Sequence, residues 1–150
     1  VTSKAELQIV KMPNDILLTK LAYVEKTPSQ SLIDEMQRLM VMKMGVGLAA
    51  SQIGINQAFF VAKLSQGFTV CINPQITDHG REEIMEYEGC LSILDAKGNI
   101  IRKPKKRWAV IDVIYFPLNP REGLCSETLK RMDARIFQHE MDHLEGKLCQ

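Results

Sequence analysis

Two of the three histidines in this 150-residue chain lie four apart, in Gln138-His139-Glu140-Met141-Asp142-His143, with a carboxylate beside the first. On an α-helix that spacing stacks both imidazoles on one face, where they can grip a divalent metal while Glu140 stays free to handle a proton. A third ligand candidate is available in Cys90, set between Gly89 and Leu91 with Ser92 close by. Its thiol would lose its proton on binding metal. Two neutral imidazoles and one thiolate leave a net positive centre with a position open to water, as expected of a catalytic site rather than a closed structural one. Glu140 would then take a proton from the attacking water and deliver it to a departing nitrogen. Cys71, Cys125 and Cys149 have no ligand-like spacing and read as small buried or indifferent residues, Cys149 in a loose terminus.

The rest of the chain supplies a frame for that helix. Thr27-Pro28-Ser29-Gln30 reads as a helix start, with Thr27 as cap and proline at the first helical position. Leu32, Ile33, Met36, Leu39 and Met40 follow a helical period, and Gly45 ends it. Residues 58–64 and 68–72 read as two strands about Ser65-Gln66-Gly67, with Asn73-Pro74 ending the second. Residues 82–87, Ile100-Ile101 and 108–116 are further strand candidates. Ser126 is read as the cap of the last helix, with Glu127 in its first turn, Leu129, Met132 and Ile136 along one face, and Gly146 ending it. The expected fold is α+β: mixed or antiparallel β-sheets surrounding a central metal-binding helix that carries the HExxH motif, with an N-terminal helix. No repeat or linker divides the chain, so residues 1–150 are expected to form a single domain.

Nineteen basic residues against eighteen acidic ones give a net charge of +1, which argues against a nucleic-acid footprint. The one basic cluster, Lys103 to Arg107, reads as a solvated strand end or turn. No apolar stretch is long enough to span a bilayer, and no secretory leader is recognisable, so a cytoplasmic setting is expected and an organellar one left open. The segment from Gly45 to Gly54 holds small residues beside which a substrate backbone can run, and Gln52 can offer an amide proton there. It lacks the lysine and hydroxyl of a phosphate loop.

Three stretches, Gly45-Val46-Gly47-Leu48-Ala49-Ala50-Ser51-Gln52, Glu88-Gly89-Cys90-Leu91-Ser92 and Gln138-His139-Glu140-Met141-Asp142-His143-Leu144-Glu145-Gly146, resemble in the same order the three motifs of peptide deformylases. The resemblance implies removal of the formyl group from formyl-methionyl nascent polypeptides, with release of formate. By motif, Cys90, His139 and His143 would hold one divalent ion, ferrous iron natively and replaceable by zinc, nickel or cobalt, and Glu140 would be the general acid/base. Gln52 and the backbone amide of Leu91 resemble the donors to the oxyanion. Gly47 resembles the glycine that pairs with the substrate backbone, and Val46, Met132 and Ile136 the lining of the methionine pocket. Glu88 resembles the carboxylate that braces the loop, with Arg102 as its partner.

The chain departs from the family pattern after Ser92, where Ile93 leads to Leu94-Asp95 rather than to proline, and in an insertion-like segment from Phe116 to Gly123. It also stops four residues past Gly146, without the C-terminal helix by which many members dock on the ribosome. Only transient ribosome proximity is therefore expected, with Lys105, Lys106 and Arg107 as an alternative contact, no membrane association, and a monomer by default. A metallopeptidase or other amidase, and a metal-stabilised binding module, are the competing readings.

Overall fold

The computed structural model describes residues 6–148; Cys149, expected in a loose terminus, lies outside them. Among the described residues there are seven strands, all paired antiparallel, two α-helices and three short 3-10 turns, so the α+β expectation stands and the sheets described are not mixed. Strands β1 (Gly47–Ala49), β2 (Phe59–Leu64), β3 (Gly67–His79), β6 (Val110–Phe116) and β7 (Cys125–Lys130) form one sheet in the order β1-β2-β3-β6-β7. Strands β4 (Glu83–Glu88) and β5 (Lys103–Trp108) form a separate hairpin sheet. Helix α1 is Gln30–Met42 and helix α2 is Arg131–Leu144.

β2 explains how the core is organised. Phe59, Phe60, Val61 and Ala62 are all fully buried, the pattern of a strand covered on both faces rather than one. Helices α1 and α2 both pack against it. Phe60 meets Phe137 of α2 edge-to-face at 5.1 Å between ring centroids, a favoured aromatic geometry. On α1, Ile33, Met36, Leu39 and Met40 are buried as their period implies.

Several boundaries differ from the sequence expectations. The cap of α1 is Ser29, whose Oγ accepts from the Leu32 amide at 3.1 Å, rather than Thr27; Pro28 lies before the cap. Gly45 is not the residue that turns α1. Met44 takes the left-handed conformation at φ 54°, and the Met44 and Gly45 amides close back on the Val41 and Met40 carbonyls, a Schellman end. Asn73-Pro74 does not end β3, which runs on to His79 through shifts of register. Asn73 sits at φ 49°, and its side-chain amide pairs with both backbone groups of Val24, accepting at 2.8 Å and donating at 2.9 Å. Asparagine tolerates that conformation, so the kink is a bulge and not a stop.

The largest difference lies before α2. Residues 125–130 are strand β7, paired along its length with β6, and not the first turns of a helix capped by Ser126. Cys125, Glu127 and Leu129 are the less exposed residues of an alternating row, a period of two that the helical reading of Glu127 and Leu129 overrode. The chain turns into α2 at Arg131, φ 52°. Asp133 in the first helical turn accepts from the Ser65 amide at 2.9 Å and from the Ser65 hydroxyl, tying the β2–β3 turn to the positive end of α2. The insertion-like stretch from Phe116 to Gly123 is the β6–β7 connection, with a 3-10 turn at Pro120–Glu122.

α2 ends at Gly146 as expected. Its φ is +75°, its amide bonds to the His143 carbonyl at 3.1 Å, and Lys147 closes on Asp142 at 2.8 Å. A Cβ here would come within 2.7 Å of the Leu18 carbonyl carbon. Left-handed strain and a clash against backbone act together, so Gly146→Ala is expected to cost about 2 kcal/mol or more. Urea denaturation should show the loss as a lower midpoint at unchanged m-value.

Candidate metal centre

Helix α2 presents two adjacent stripes to the site. Arg135, His139 and Asp142, four and three apart, face the β4–β5 hairpin, while Ile136, Glu140 and His143 lie on the neighbouring stripe toward β1. Gln138 fixes the helix against the hairpin. Its Oε1 accepts from the Trp108 amide at 2.9 Å and its Nε2 donates to the Trp108 carbonyl at 2.8 Å, so one side chain pairs with a peptide as a strand would.

β4 ends in Glu88, and the chain then turns through Gly89-Cys90-Leu91, where the Ile93 amide bonds back to the Cys90 carbonyl at 3.1 Å. This turn lays Cys90, 3 % exposed, against α2. Its Sγ is 3.3 Å from His143 Nε2, and one donor atom each from Cys90, His139 and His143 lie within 4.8 Å of one another. Donors about 2.0–2.3 Å from a tetrahedral ion stand roughly 3.3–3.8 Å apart, so a modest contraction makes the set a metal shell.

Both imidazoles are set up for that use. Burial, with the like charges of His139 and Arg107, pushes the His143 pKa down to about 3, which keeps the ring neutral at physiological pH. His139 gives Nδ1 to Glu88 Oε1 at 2.9 Å. A proton on that nitrogen leaves Nε2 as the ligand, the usual way an outer carboxylate sets the tautomer of a ligating histidine. The sequence-predicted ligands are thus brought together from a loop and a helix that lie nearly fifty residues apart.

Glu88 is the hub around them. Arg107 donates to it twice, Nε to Oε2 at 3.0 Å and Nη2 to Oε1 at 2.9 Å, and Arg135 Nη1 adds a bond to Oε2. Burial alone would raise the carboxyl's pKa, but hydrogen bonds from His139 and Arg107, and their charge, outweigh it and hold Glu88 well below the ordinary carboxylate range. Arg107 also reaches Asp142 Oδ2 at 2.6 Å. The expectation that Arg102 partners Glu88 fails: Arg102 is exposed, and Arg107 and Arg135 take the place. Reading Lys103 to Arg107 as one solvated cluster, and as a surface contact, fails for Arg107 too, which is buried. The cluster is strand β5, and alternation turns its last arginine inward.

Gln52 lies in a 3-10 turn after β1, 2 % exposed. Its Oε1 accepts from the Ala49 amide at 3.0 Å, which aims Nε2 at the Cys90 loop, 3.2 Å from Ser92 Oγ and 3.5 Å from Cys90 Sγ. β1 is the edge of its sheet. Val46 carbonyl is taken by the Lys63 amide and the Ala49 amide by Gln52, so alternation leaves the backbone groups of Gly47 on the open side. A Cβ on Gly47 would lie 2.8 Å from Cδ of Glu140, so the carboxylate sits directly behind this edge.

A cavity of about 290 Å³ opens over these groups. Val46, Gly47, Gln52, Glu88, Cys90, Leu91, Met132, Ile136, His139 and Glu140 all line it, as does Arg102 at its wall. Ile136 is buried, whereas Val46 and Met132 are half-exposed at the rim. Arg135 and Glu86 also contribute to the lining, and sequence reasoning had not singled them out. The signal for Arg135 was its place four residues before His139, on the stripe that must meet Glu88.

Two imidazoles and a cysteine sulfur brought together near the carboxylate of Glu140 make the donor set of a metal-dependent hydrolase. Comparison with known proteins then places the chain. The polypeptide deformylase family model matches residues 6–150. The chain is 37% identical to a peptide deformylase of Halothermothrix orenii over 146 residues, covering 95% of this chain and 90% of that one. It is 40% identical to the Thermotoga neapolitana enzyme over 116 residues, 77% of this chain and 66% of that one. The crystal structure of peptide deformylase from Thermotoga maritima superposes with a TM-score of 0.87 at 34% identity, covering 97% and 95% of the two chains. The chain belongs to the polypeptide deformylase family.

Because Glu88 and the Ile84 and Lys105 carbonyls all receive Arg135, Arg135→Met should leave a buried charge and two carbonyls under-satisfied. A loss of about 3 kcal/mol is expected, measurable by denaturant titration of the metal-loaded protein.

Proposed function

We propose that this chain hydrolyses the formyl group from formyl-methionyl polypeptides, releasing formate, with residues 1–150 acting as one catalytic domain. The observation that carries the reading is the convergence of Cys90 Sγ with His139 and His143, two of which, Cys90 and His139, line the cavity that Glu140 and Gly47 also line. Cys90, His139 and His143 would hold one divalent ion, which when bound would supply Lewis acidity toward the carbonyl and the water. Thiolate and imidazole ligands suit ferrous iron as the native ion, and equally zinc, nickel or cobalt.

The chain's own groups do the rest. Glu140 takes the proton of the attacking water and returns it to the amine that leaves. Gln52 Nε2 and the Leu91 amide, both lining the cavity beside Cys90, stabilise the oxygen on which charge develops. The open edge at Gly47 pairs with the substrate backbone as an added strand. Val46, Met132 and Ile136 receive the methionine side chain. Glu88 braces His139 and the loop. Nascent chains are met in the cytoplasm or an organelle by a monomer in transient proximity to the ribosome; among the described residues no helix is long and apolar enough to cross a membrane.

Incubating the protein with formyl-methionyl and free-amine forms of one peptide should yield formate from the first and no backbone cleavage of either; cleavage in place of formate would mark a peptidase. Glu140→Ala should keep stoichiometric metal and lose nearly all turnover, whereas Cys90→Ala and His143→Ala should lose the metal, as read by elemental analysis. Gln52→Leu should lower kcat by about 10²-fold while KM moves little, the signature of a donor that acts in the transition state.

A further inference from the structure

The family pattern assigns Arg102 to Glu88, but that carboxylate has no vacancy. A carboxylate offers about four acceptor positions, and Glu88 fills them with two bonds from Arg107, one from Arg135 and one from His139. Arg102 is left exposed, with no hydrogen bond or ion pair to any of the described residues, on the cavity wall beside Gly89. Its acidic neighbour on that wall, Glu86, leans instead toward Arg135, 3.7 Å from Nε. The remaining rim is largely apolar and open: Met44, Val46, Tyr87, Ile100 and Met132 are all exposed there, Met44 by 91 %.

Among the described residues the mouth therefore presents one guanidinium without an ion-pair partner, in a largely apolar ring over which a chain leaving the cavity along the Gly47 edge would pass. With the first side chain in the cavity and the backbone along the Gly47 edge, each further residue advances about 3.4 Å. The second and third residues of the substrate then lie over this rim. We propose that Arg102 is a specificity-determining residue that favours an acidic side chain at the second or third position of the formyl-methionyl substrate. The inference rests on the deformylase reading and narrows its substrate class.

A solvent-exposed ion pair supports only a modest preference, about threefold to fivefold in kcat/KM. The contact forms before chemistry and persists through it, so the gain lies in KM. Salt should erode it, since both charges stand in water.

The test is formate release from formyl-Met-Ala-Xaa and formyl-Met-Xaa-Ala peptides with Xaa as Glu, Gln or Lys, using the metal-loaded wild type, Arg102→Gln and Arg102→Glu. The wild type should prefer Glu over Gln through KM at low ionic strength, and lose the preference at about 0.5 M salt. Arg102→Gln should bring the Glu to Gln ratio near one, and Arg102→Glu should turn the preference toward Lys. A purely structural role would lower all peptides alike and leave the ratios intact, and that result overturns the proposal even if one variant folds poorly, because the salt series on the wild type reads the same ratio. Formate release with no discrimination by charge defeats this inference alone; no formate from any peptide defeats the deformylase reading with it.

Discussion

The site depends on one buried carboxylate. Glu88 accepts from a strand arginine, a helix arginine and a metal-ligand candidate at once. A charge in that position would be costly without partners, and removing any one of them leaves the others uncompensated. The benefit is registry: the hairpin that ends in the Cys90 loop is locked to the helix that carries both histidines. Cysteine sulfur and imidazoles approach one another because the groups behind them are already joined.

The neutral state of His143 follows from the same enclosure. Burial disfavours its protonated form, and the positive charge of nearby Arg107 disfavours it further. The network that stabilises a negative Glu88 therefore keeps the neighbouring imidazole free of a proton and available as a ligand. One set of charges serves two opposite protonation states, separated by position alone.

Much of this was legible in the chain, and the failures have a common physical cause. The histidine pair, Glu140, Cys90, Gln52 and the small residues at Gly45 to Gly47 announce themselves through local spacing, because each lies on one short element. The partners of Glu88 do not. Arg107 belongs to a run of cations whose alternation has meaning only in a strand, and Arg135 lies on a helix that begins at Arg131, beyond the Ser126-Glu127 pair that suggests an earlier start. Ser126-Glu127 imitates a helix cap, yet pairing with β6 decides the matter through residues distant in sequence. Asn73-Pro74 likewise looks like an ending, and a side chain that substitutes for a strand partner lets β3 continue past it.

The shortness of β1 has its own consequence. An uncovered sheet edge invites association with any extended chain, and folded proteins usually shield it. Here the edge strand has three residues, and Gln52 occupies the amide of the last. What remains exposed is little more than the two backbone groups of a single glycine. So narrow a strip offers too little length for sheets to zip together and leaves a single alignment to any extended segment that pairs there, so the edge is shielded by arithmetic of residues rather than by a protective lid.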